Sequence, residues 1–534
     1  MAVSLQSLQE LSQQLLLTLS HDVNVRKPAE NFIKSCEQSP GFSKVLLQIL
    51  DNAETDNIIK QCSAIALKNF IKKHWAYVDD SAPDKISQDD RNYVKTVIVD
   101  LMLRSEENIQ RQLSEAISII GKEDFPEKWT NLLENMVTRV QEACNQYNFA
   151  VINGVLQTAD SLFKRYEFEY KSTELWAEIK FVLDTFAKPF TELFVWIVKL
   201  IPEHFNNAQN IKIIAKSLVY CSKIYYSLNI QDLPEFFEDN IDVWMKNFAE
   251  LLQMENKILQ SDNPDEPGVL EDLKSQICEN IGLYEEKYNE EFEKYLGGFI
   301  QQVWNLLGSI NSDAKYDSLV SNAIRFLSIV AERGLHKEIF EQEQVLQQIS
   351  SRIIIPSMEF RESDEELFED NPEEYIRRDV EGADVHTRRR AACDFVKSLA
   401  KHFEKPMTDV FSKYIESMLT NFAQNQQQNW KSKNAAIYLV TSLAAKGGSV
   451  RLGTTSTSDL INITDFFNNV IRADLERADL NELPVLRADA LKYLITFRNQ
   501  LSVKETWLPI MPQLIRHLSS PVTVIHSYAA NCIE

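Results

Sequence analysis

Residues 106–121 read EENIQRQLSEAISIIG, and include the apolar Ile109, Leu113, Ala116, Ile117 and Ile120. They fall at the i, i+4, i+7, i+8, i+11 spacing that puts side chains on one face of an α-helix. Gly121, a poor helix former, is expected to stop this helix. The same kind of face recurs at 58–70 (Ile58, Cys62, Ile65, Ala66, Phe70), less regularly at 322–330, at 391–403 and at 435–443. Turn-formers separate these segments at short intervals.

Pairing the helical segments gives units of about 40 residues, one helix hairpin each, which is the period of HEAT or armadillo arrays. The units run over 1–37, 41–75, 87–122, 126–168, 173–228, 232–295, 296–334, 335–403 (interrupted), 405–446 and 456–498, with a partial last unit at 503–534. The expected fold class is all-α, a continuous α-α superhelix of about ten helix pairs over 1–534. Separate helical bundles would need linkers rich in Gly, Ser or Pro, and only 261–268 (SDNPDEPG) and 446–458 (KGGSVRLGTTSTS) qualify. Only 13 Gly and 16 Pro in 534 residues leave little room for hairpins or Rossmann loops.

No stretch approaches the roughly 18–20 uninterrupted apolar residues of a membrane span, so no membrane insertion is expected. The start, MAVSLQSLQELSQQLLLTLS, lacks a basic leader segment and reads as an amphipathic helix. Seven widely spaced cysteines in apolar helical registers read as reduced, buried thiols of a cytosolic or nuclear chain. The formal charge of −22 argues against nucleic acid and favours basic protein partners.

Catalytic chemistry finds no scaffold. The eight histidines form no HExxH and no i, i+4 pair, there is no CxxC, and no nucleophile–base arrangement can be nominated. GSVRLGTT (448–455) has a GxxxxG frame, but Thr454 stands where a phosphate-binding lysine must reach, so it reads as an inter-helix loop. A binding protein is expected, not an enzyme.

Three stretches are more informative. EDFPEKWTNLL (123–133) puts Pro126 in the first turn of an expected helix, Asp124 near that helix's positive end, and Phe125 and Trp129 among the apolar anchors of a structural motif. LKNFIKKHW (67–75) carries Lys68, Lys72 and Lys73 on the outer stripe of a helix in an acidic chain. ESDEELFEDNPEEYIRRD (362–379) packs carboxylates densely within an expected acidic insertion loop, 358–386. Either that loop faces a basic partner, or Arg377, Arg378 or Arg388–Arg390 neutralise it within the chain. Finally, Ile525, Tyr528, Ala529, Cys532 and Ile533 form one apolar face, half of a repeat, so the array is expected to be C-terminally incomplete and to self-associate through an open end.

Together these pieces resemble the importin-β (karyopherin) superfamily. NVRKPAENFI (24–33), LKNFIKKHW and AISIIGKEDFPEKWTNLL (116–133) follow one another as in its N-terminal domain, placed here at 29–102. VINGVLQTADSLFKRYEFE (151–169), QDLPEFFEDNIDVWM (231–245), YDSLVSNAIRFL (316–327), FEDNPEEYIRRDVEGADVHTRRRAACD (368–394) and NWKSKNAAIYLVTSLA (429–444) look like the receptors that return importin-α from nucleus to cytoplasm. The resemblance implies a shuttling nuclear export receptor whose partners are Ran-GTP, importin-α and nuclear pore proteins. It implies no cofactor, GTP being carried by Ran. It implies Ran contacts at Lys68, Asn69 and Lys72. It also implies an acidic loop touching Ran and importin-α through Glu365, Glu366, Leu367, Phe368, Glu369, Asp370, Glu373, Glu374, Tyr375, Arg377 and Arg378, with Leu367, Phe368 and Tyr375 as buried anchors. An import receptor of the same superfamily, or a static HEAT-repeat scaffold, are the alternatives.

Overall fold

A computed structural model describes residues 5–76, 85–380, 387–449 and 453–534. The chain is almost wholly helical and divides into two compact units, Met1–Asn247 and Phe248–Glu534.

In the first unit α1 (Leu5–Leu17) pairs with α2 (Val23–Cys36), α3 (Phe42–Asp51) with α4 (Asn57–His74), α5 (Gln88–Leu103) with α6 (Glu107–Asp124), and α7 (Leu132–Asn145) with α8 (Phe149–Phe163). Then α9 (Thr173–Val182) and α10 (Lys188–His204) precede α11 (Ala208–Asn229), and α12 (Glu235–Asp239) and α13 (Ile241–Gln253) follow. The second helices α4, α6, α8 and α11 pack side by side into a layer. The apolar face of 106–121 is wholly buried in it. Ser114 and Thr158 hydroxyls bond across α6 and α8 at 2.9 Å, and Ser118 donates to Ser161 O at 2.7 Å.

Three expectations fail in this unit. Gly121 does not stop α6, which continues to Asp124; a Cβ there would stand 2.4 Å from Leu162 Cδ1, so glycine lets α6 and α8 approach closely. On α4 the core face is Ser63, Ala64, Leu67, Phe70 and Ile71, whereas Ile58 and Ile65 are 52% and 38% exposed. The helix is wedged between α3 and α6. That contact centres on Leu67 and leaves the side bearing Ile58 and Ile65 outside.

The Asp124–Trp129 motif differs too. Asp124 is the last residue of α6, Pro126 lies in the connecting turn, and α7 begins only at Leu132. A carboxylate at a helix C-terminus opposes the helix dipole. Here the Lys95 ammonium compensates, donating to Asp124 Oδ2 and to Lys128 O, both at 2.9 Å. Phe125 and Trp129 are buried beside this clasp.

In the second unit the helices are α14 (Val269–Lys287), α15 (Asn289–Ser309), α16 (Asp317–Arg333), α17 (Lys337–Phe340), α18 (Glu343–Ile349), α19 (Ile355–Met358), α20 (Glu362–Asp370) and α21 (Pro372–Val380). They continue with α22 (Arg388–Gln424), α23 (Trp430–Ala444), α24 (Ile463–Phe466), α25 (Arg472–Glu476), α26 (Pro484–Thr496), α27 (Leu508–His517) and α28 (Thr523–Ile533). Helices α14, α16, α22, α23, α26 and α28 succeed one another in contact. The long α22 leaves helical geometry at Phe403, where two successive units meet. Between α23 and α24, Gly448–Ser449 and Gly453–Thr454 pair as a two-stranded hairpin, where a plain loop was expected. In 503–534, α27 and α28 form a helix pair: Ile525, Tyr528 and Ala529 are buried, with α28 packed on α26 and α27. Cys532 on the same face is half-buried and Ile533 is exposed, as are Leu508 and Ile515 on α27.

Beneath α27, Arg487 Nη1 lies 2.9 Å from His517 Nε2, while His517 Nδ1 meets Gln513 O at 2.5 Å. A guanidinium only donates, so Nε2 accepts and the ring is neutral, with its proton on Nδ1. Burial, and after it the Arg487 and Arg516 charges, lower its pKa, against the bond to Gln513. A depressed histidine contributes stability that is present above its unfolded value, near 6.5, and lost as the pH falls below it. Thermal stability is therefore expected to fall below about pH 6.5 more steeply in the native chain than in His517→Gln. Identical pH slopes would refute this assignment.

Candidate functional site

The acidic stretch is not a loop. Leu367 and Phe368 on α20 and Tyr375 and Ile376 on α21 give each short helix an apolar side, and Asn371–Pro372 forms the turn between them. Phe368 and Tyr375 meet edge to face at 5.0 Å and join the core that includes Phe360, Phe422 and Ile437. These two rings anchor the hairpin to its own chain and are not free for a partner, because burying them in this core removes their apolar area from water. Residues 381–386, the end of the expected insertion, lie outside the described residues.

Asp317 on α16 gathers two arginines, Arg361 just before the hairpin and Arg388 at the start of α22. It accepts a two-pronged contact from Arg361 (Nη1–Oδ1 and Nη2–Oδ2, each 2.8 Å) and one from Arg388 Nε at 2.7 Å. Arg361 N also donates to Asp364 Oδ2 at 2.9 Å, closing the start of α20. The Arg389 guanidinium lies over the rings of Phe360 at 5.1 Å and Tyr438 at 4.8 Å. Such stacking suits arginine, whose flat cation is weakly hydrated.

At the far end, Asp379 collects three donors from three other helices. Lys492 on α26 pairs with Oδ1, Tyr438 OH on α23 is 3.3 Å from the same oxygen, and Tyr528 OH on α28 donates to Oδ2 at 2.6 Å. Burial raises the Asp379 carboxyl, but Lys492 and the Tyr528 hydroxyl outweigh it and hold it below the ordinary value. Asp379 is therefore a charged pin that closes the hairpin against the last helix pairs.

The arginines neutralise little of the acidic run. Arg377 and Arg378 both turn to Glu374 on their own helix, Arg390 pairs with Asp394, and Arg389 stays 3.9 Å from Asp364. Glu365 is held by Lys431 at 3.2 Å. Glu362, Glu366, Glu369, Asp370 and Glu373 are exposed, and among the described residues none of them forms an ion pair. The hairpin presents a rigid anionic surface.

The basic stripe of the first unit is narrower than expected. Lys68 Nζ is 3.1 Å from Glu115 on α6 and Lys73 Nζ 3.5 Å from Glu37, while Asn69 and Lys72 are exposed. Their neighbours on the outer side of α4 are the exposed Ile58 and Ile65, so the surface is apolar toward the start of α4 and basic toward its end. Among the described residues no cluster of three or more His, Cys, Asp or Glu could hold a metal, and no helix is long and apolar enough to cross a membrane.

Residues 162–533 match the Cse1 family, and residues 29–104 match the importin-beta N-terminal domain. The chain belongs to the Cse1 family. It is 53% identical over 528 residues to Exportin-2 of Oreochromis niloticus, covering 99% of this chain and 54% of that protein. Human Exportin-2 is 52% identical over 534 residues, which is 100% of this chain and 54% of the relative. The chain thus spans about half the length of the curated relatives it matches. A solved structure of the exportin Cse1 in its cargo-free, cytoplasmic state superposes with a TM-score of 0.91 at 37% identity, over 98% of this chain and 56% of that one. A crystal structure of importin beta, at 13% identity and a TM-score of 0.59, shares the fold. This Cse1-family chain is accordingly a HEAT-repeat array of the karyopherin superfamily.

Sequence reasoning missed Asp317 and Asp379, which fix the hairpin, and named Arg389 only as a neutraliser of the acidic run, not as a cation stacked on Phe360 and Tyr438. It named the five unpaired carboxylates only in part, since Glu362 was outside the chosen set and Glu365 proves to be paired.

Proposed function

We propose that this chain acts in a nuclear export receptor that carries importin-α from nucleus to cytoplasm in a complex requiring Ran-GTP. Identity above 50% to Exportin-2 across essentially the whole chain carries this reading. The hairpin supports it physically. Five unpaired carboxylates on a seated platform steer basic protein surfaces toward it, and rim charges of this kind act chiefly on the rate of encounter. The exposed Asn69 and Lys72 remain the Ran-facing candidates on α4, with Lys68 available once Glu115 releases it. The receptor is non-enzymatic and needs no cofactor of its own, shuttles between the two compartments, and meets nuclear pore proteins on the way.

Cargo and Ran-GTP must help each other by the same factor, because coupling between two binding sites is reciprocal. The test is capture of importin-α by the full receptor with Ran-GTP, with Ran-GDP and with neither. Capture enhanced by Ran-GTP alone is expected. Capture abolished by Ran-GTP would mean an import receptor, and equal capture in all three a static scaffold.

The hairpin's part is tested separately by reversing Glu362, Glu366, Glu369, Asp370 and Glu373 to lysine. Association with the basic partner is expected to slow about tenfold or more at low salt and to lose most of its salt dependence. An unchanged rate would remove the hairpin from the encounter.

A further inference from the structure

The seat of the hairpin contains a second carboxyl, Asp489 on α26, which takes no part in the contacts described above. It is buried, and its Oδ2 accepts a 2.7 Å hydrogen bond from Asn434 Nδ2 on α23. The other end of that amide, Asn434 Oδ1, is also shut off from solvent and, among the described residues, has no donor facing it. A buried amide oxygen left unpaired has given up its hydration with nothing in return. A proton on Asp489 removes the defect, because a carboxylic acid and an amide are complementary: the amide N–H donates to one carboxyl oxygen while the acid O–H donates to the amide oxygen.

We propose that Asp489 and Asn434 form a neutral acid–amide pair, and that loss of the Asp489 proton is a built-in release for the acidic hairpin. The coupling lies in shared cations. Asp379, the hairpin's pin, and Asp489 draw on the same two charges, Lys492 one turn along α26 and Arg389 on α22. While Asp489 is neutral, it does not compete as a second carboxylate for the Lys492 charge that holds Asp379. Once Asp489 ionises, two carboxylates share one poorly solvated compartment, repel each other and compete for Lys492.

Among the described residues, the cations that act on Asp489 are Arg389 and Lys492. Tyr375 comes from α21, Tyr438 from α23, and Tyr528 from α28, all with pKa raised by burial. Cys532 on α28 is likewise pushed up to about 12 and stays a thiol. Asp474 on α25 is held by Lys433 at 2.6 Å. Burial pushes the Asp489 carboxyl up to about 7, opposed by the Asn434 amide and the Arg389 charge. A carboxyl whose pKa is raised in the docked state weakens docking as pH rises from its solvated value, near 4, and the effect levels off above about 7. Acid thus tightens the hairpin, and neutral pH loosens it. This holds whichever partner the hairpin meets.

The experiment compares the native chain with Asp489→Asn, which keeps a neutral side chain of the same shape at every pH. Amide hydrogen exchange over 362–379, corrected for intrinsic rate, is followed from about pH 5 to about pH 8. Infrared difference spectra of the two proteins at the acidic end look for the C=O stretch of a protonated carboxyl. Native protection is expected to fall by up to about tenfold per pH unit until about pH 7 and then level off, while the variant stays flat. His517, unchanged in both chains, cancels in the comparison. Native and variant profiles that run in parallel overturn the proposal, and so does an infrared spectrum with no protonated carboxyl that Asp489→Asn removes.

Discussion

Replacing Asp379 with alanine is expected to lift the acidic hairpin off the rest of its unit. The substitution leaves Lys492, Tyr438 and Tyr528 facing one another without the acceptor they share, and two of them are phenols largely shut off from water. Breaking one side of a buried ion pair costs about 3–5 kcal/mol. The Asp379 side chain is 14% exposed and that of Lys492 26%, so partial solvation reduces the figure to about 2–4 kcal/mol. Hydrogen exchange within 362–379 should accelerate roughly 30-fold or more, since each 1.4 kcal/mol is a factor of ten. Exchange in α14 and α16, which the hairpin does not pin through Asp379, should hardly change. Asp379→Asn keeps an acceptor for the two hydroxyls but loses the charge, and should fall between. Native-like protection in Asp379→Ala would mean that the aromatic seat of Phe368 and Tyr375 holds the hairpin unaided.

The same contrast explains what could be seen in the sequence. Helix faces were legible wherever one side of a helix meets the core, because a 3.6-residue period is local; the face of 106–121 is buried as its spacing predicts. The α4 face was misjudged because a helix clasped from two sides buries an arc that a single periodic stripe does not describe. The hairpin was taken for a loop because its carboxylates dominate the composition, although Phe368 and Tyr375, on either side of Asn371–Pro372, carried the signal of two short helices packed together. Its fixing points were out of reach altogether. Asp379 and Tyr528 lie 149 residues apart, and Asp317 and Arg388 lie 71 apart, so nothing in either neighbourhood names the other. Charge in the sequence revealed that something here had to be neutralised or presented. Only the fold shows which carboxylates are tied and which face outward.

In the first unit the largest loss is expected at Trp244. Its ring is fully buried, stacked on Phe194 at 4.2 Å and on Tyr225 at 4.1 Å, with Phe190 at 5.3 Å and Phe237 edge-on at 6.1 Å. These rings come from α10, α11 and α12, so one side chain joins elements from successive helix pairs of the array. Removing it opens a cavity among aromatic faces that are themselves pinned by their helices and cannot collapse inward. Trp→Ala at such a site costs about 3–5 kcal/mol, the transfer and cavity terms together. For a unit of this size that should lower the thermal midpoint by roughly 10 °C, at about 2–4 °C per kcal/mol. Trp244→Phe keeps the stacking partner and should recover most of the loss. The acidic hairpin belongs to the other unit, so its exchange protection should be indifferent to both substitutions. Calorimetry would show the effect as an early transition assignable to the first unit. A midpoint within a degree or two of the native value for Trp244→Ala would mean that the neighbouring rings repack across the gap and that this cluster is not where the unit gains its rigidity.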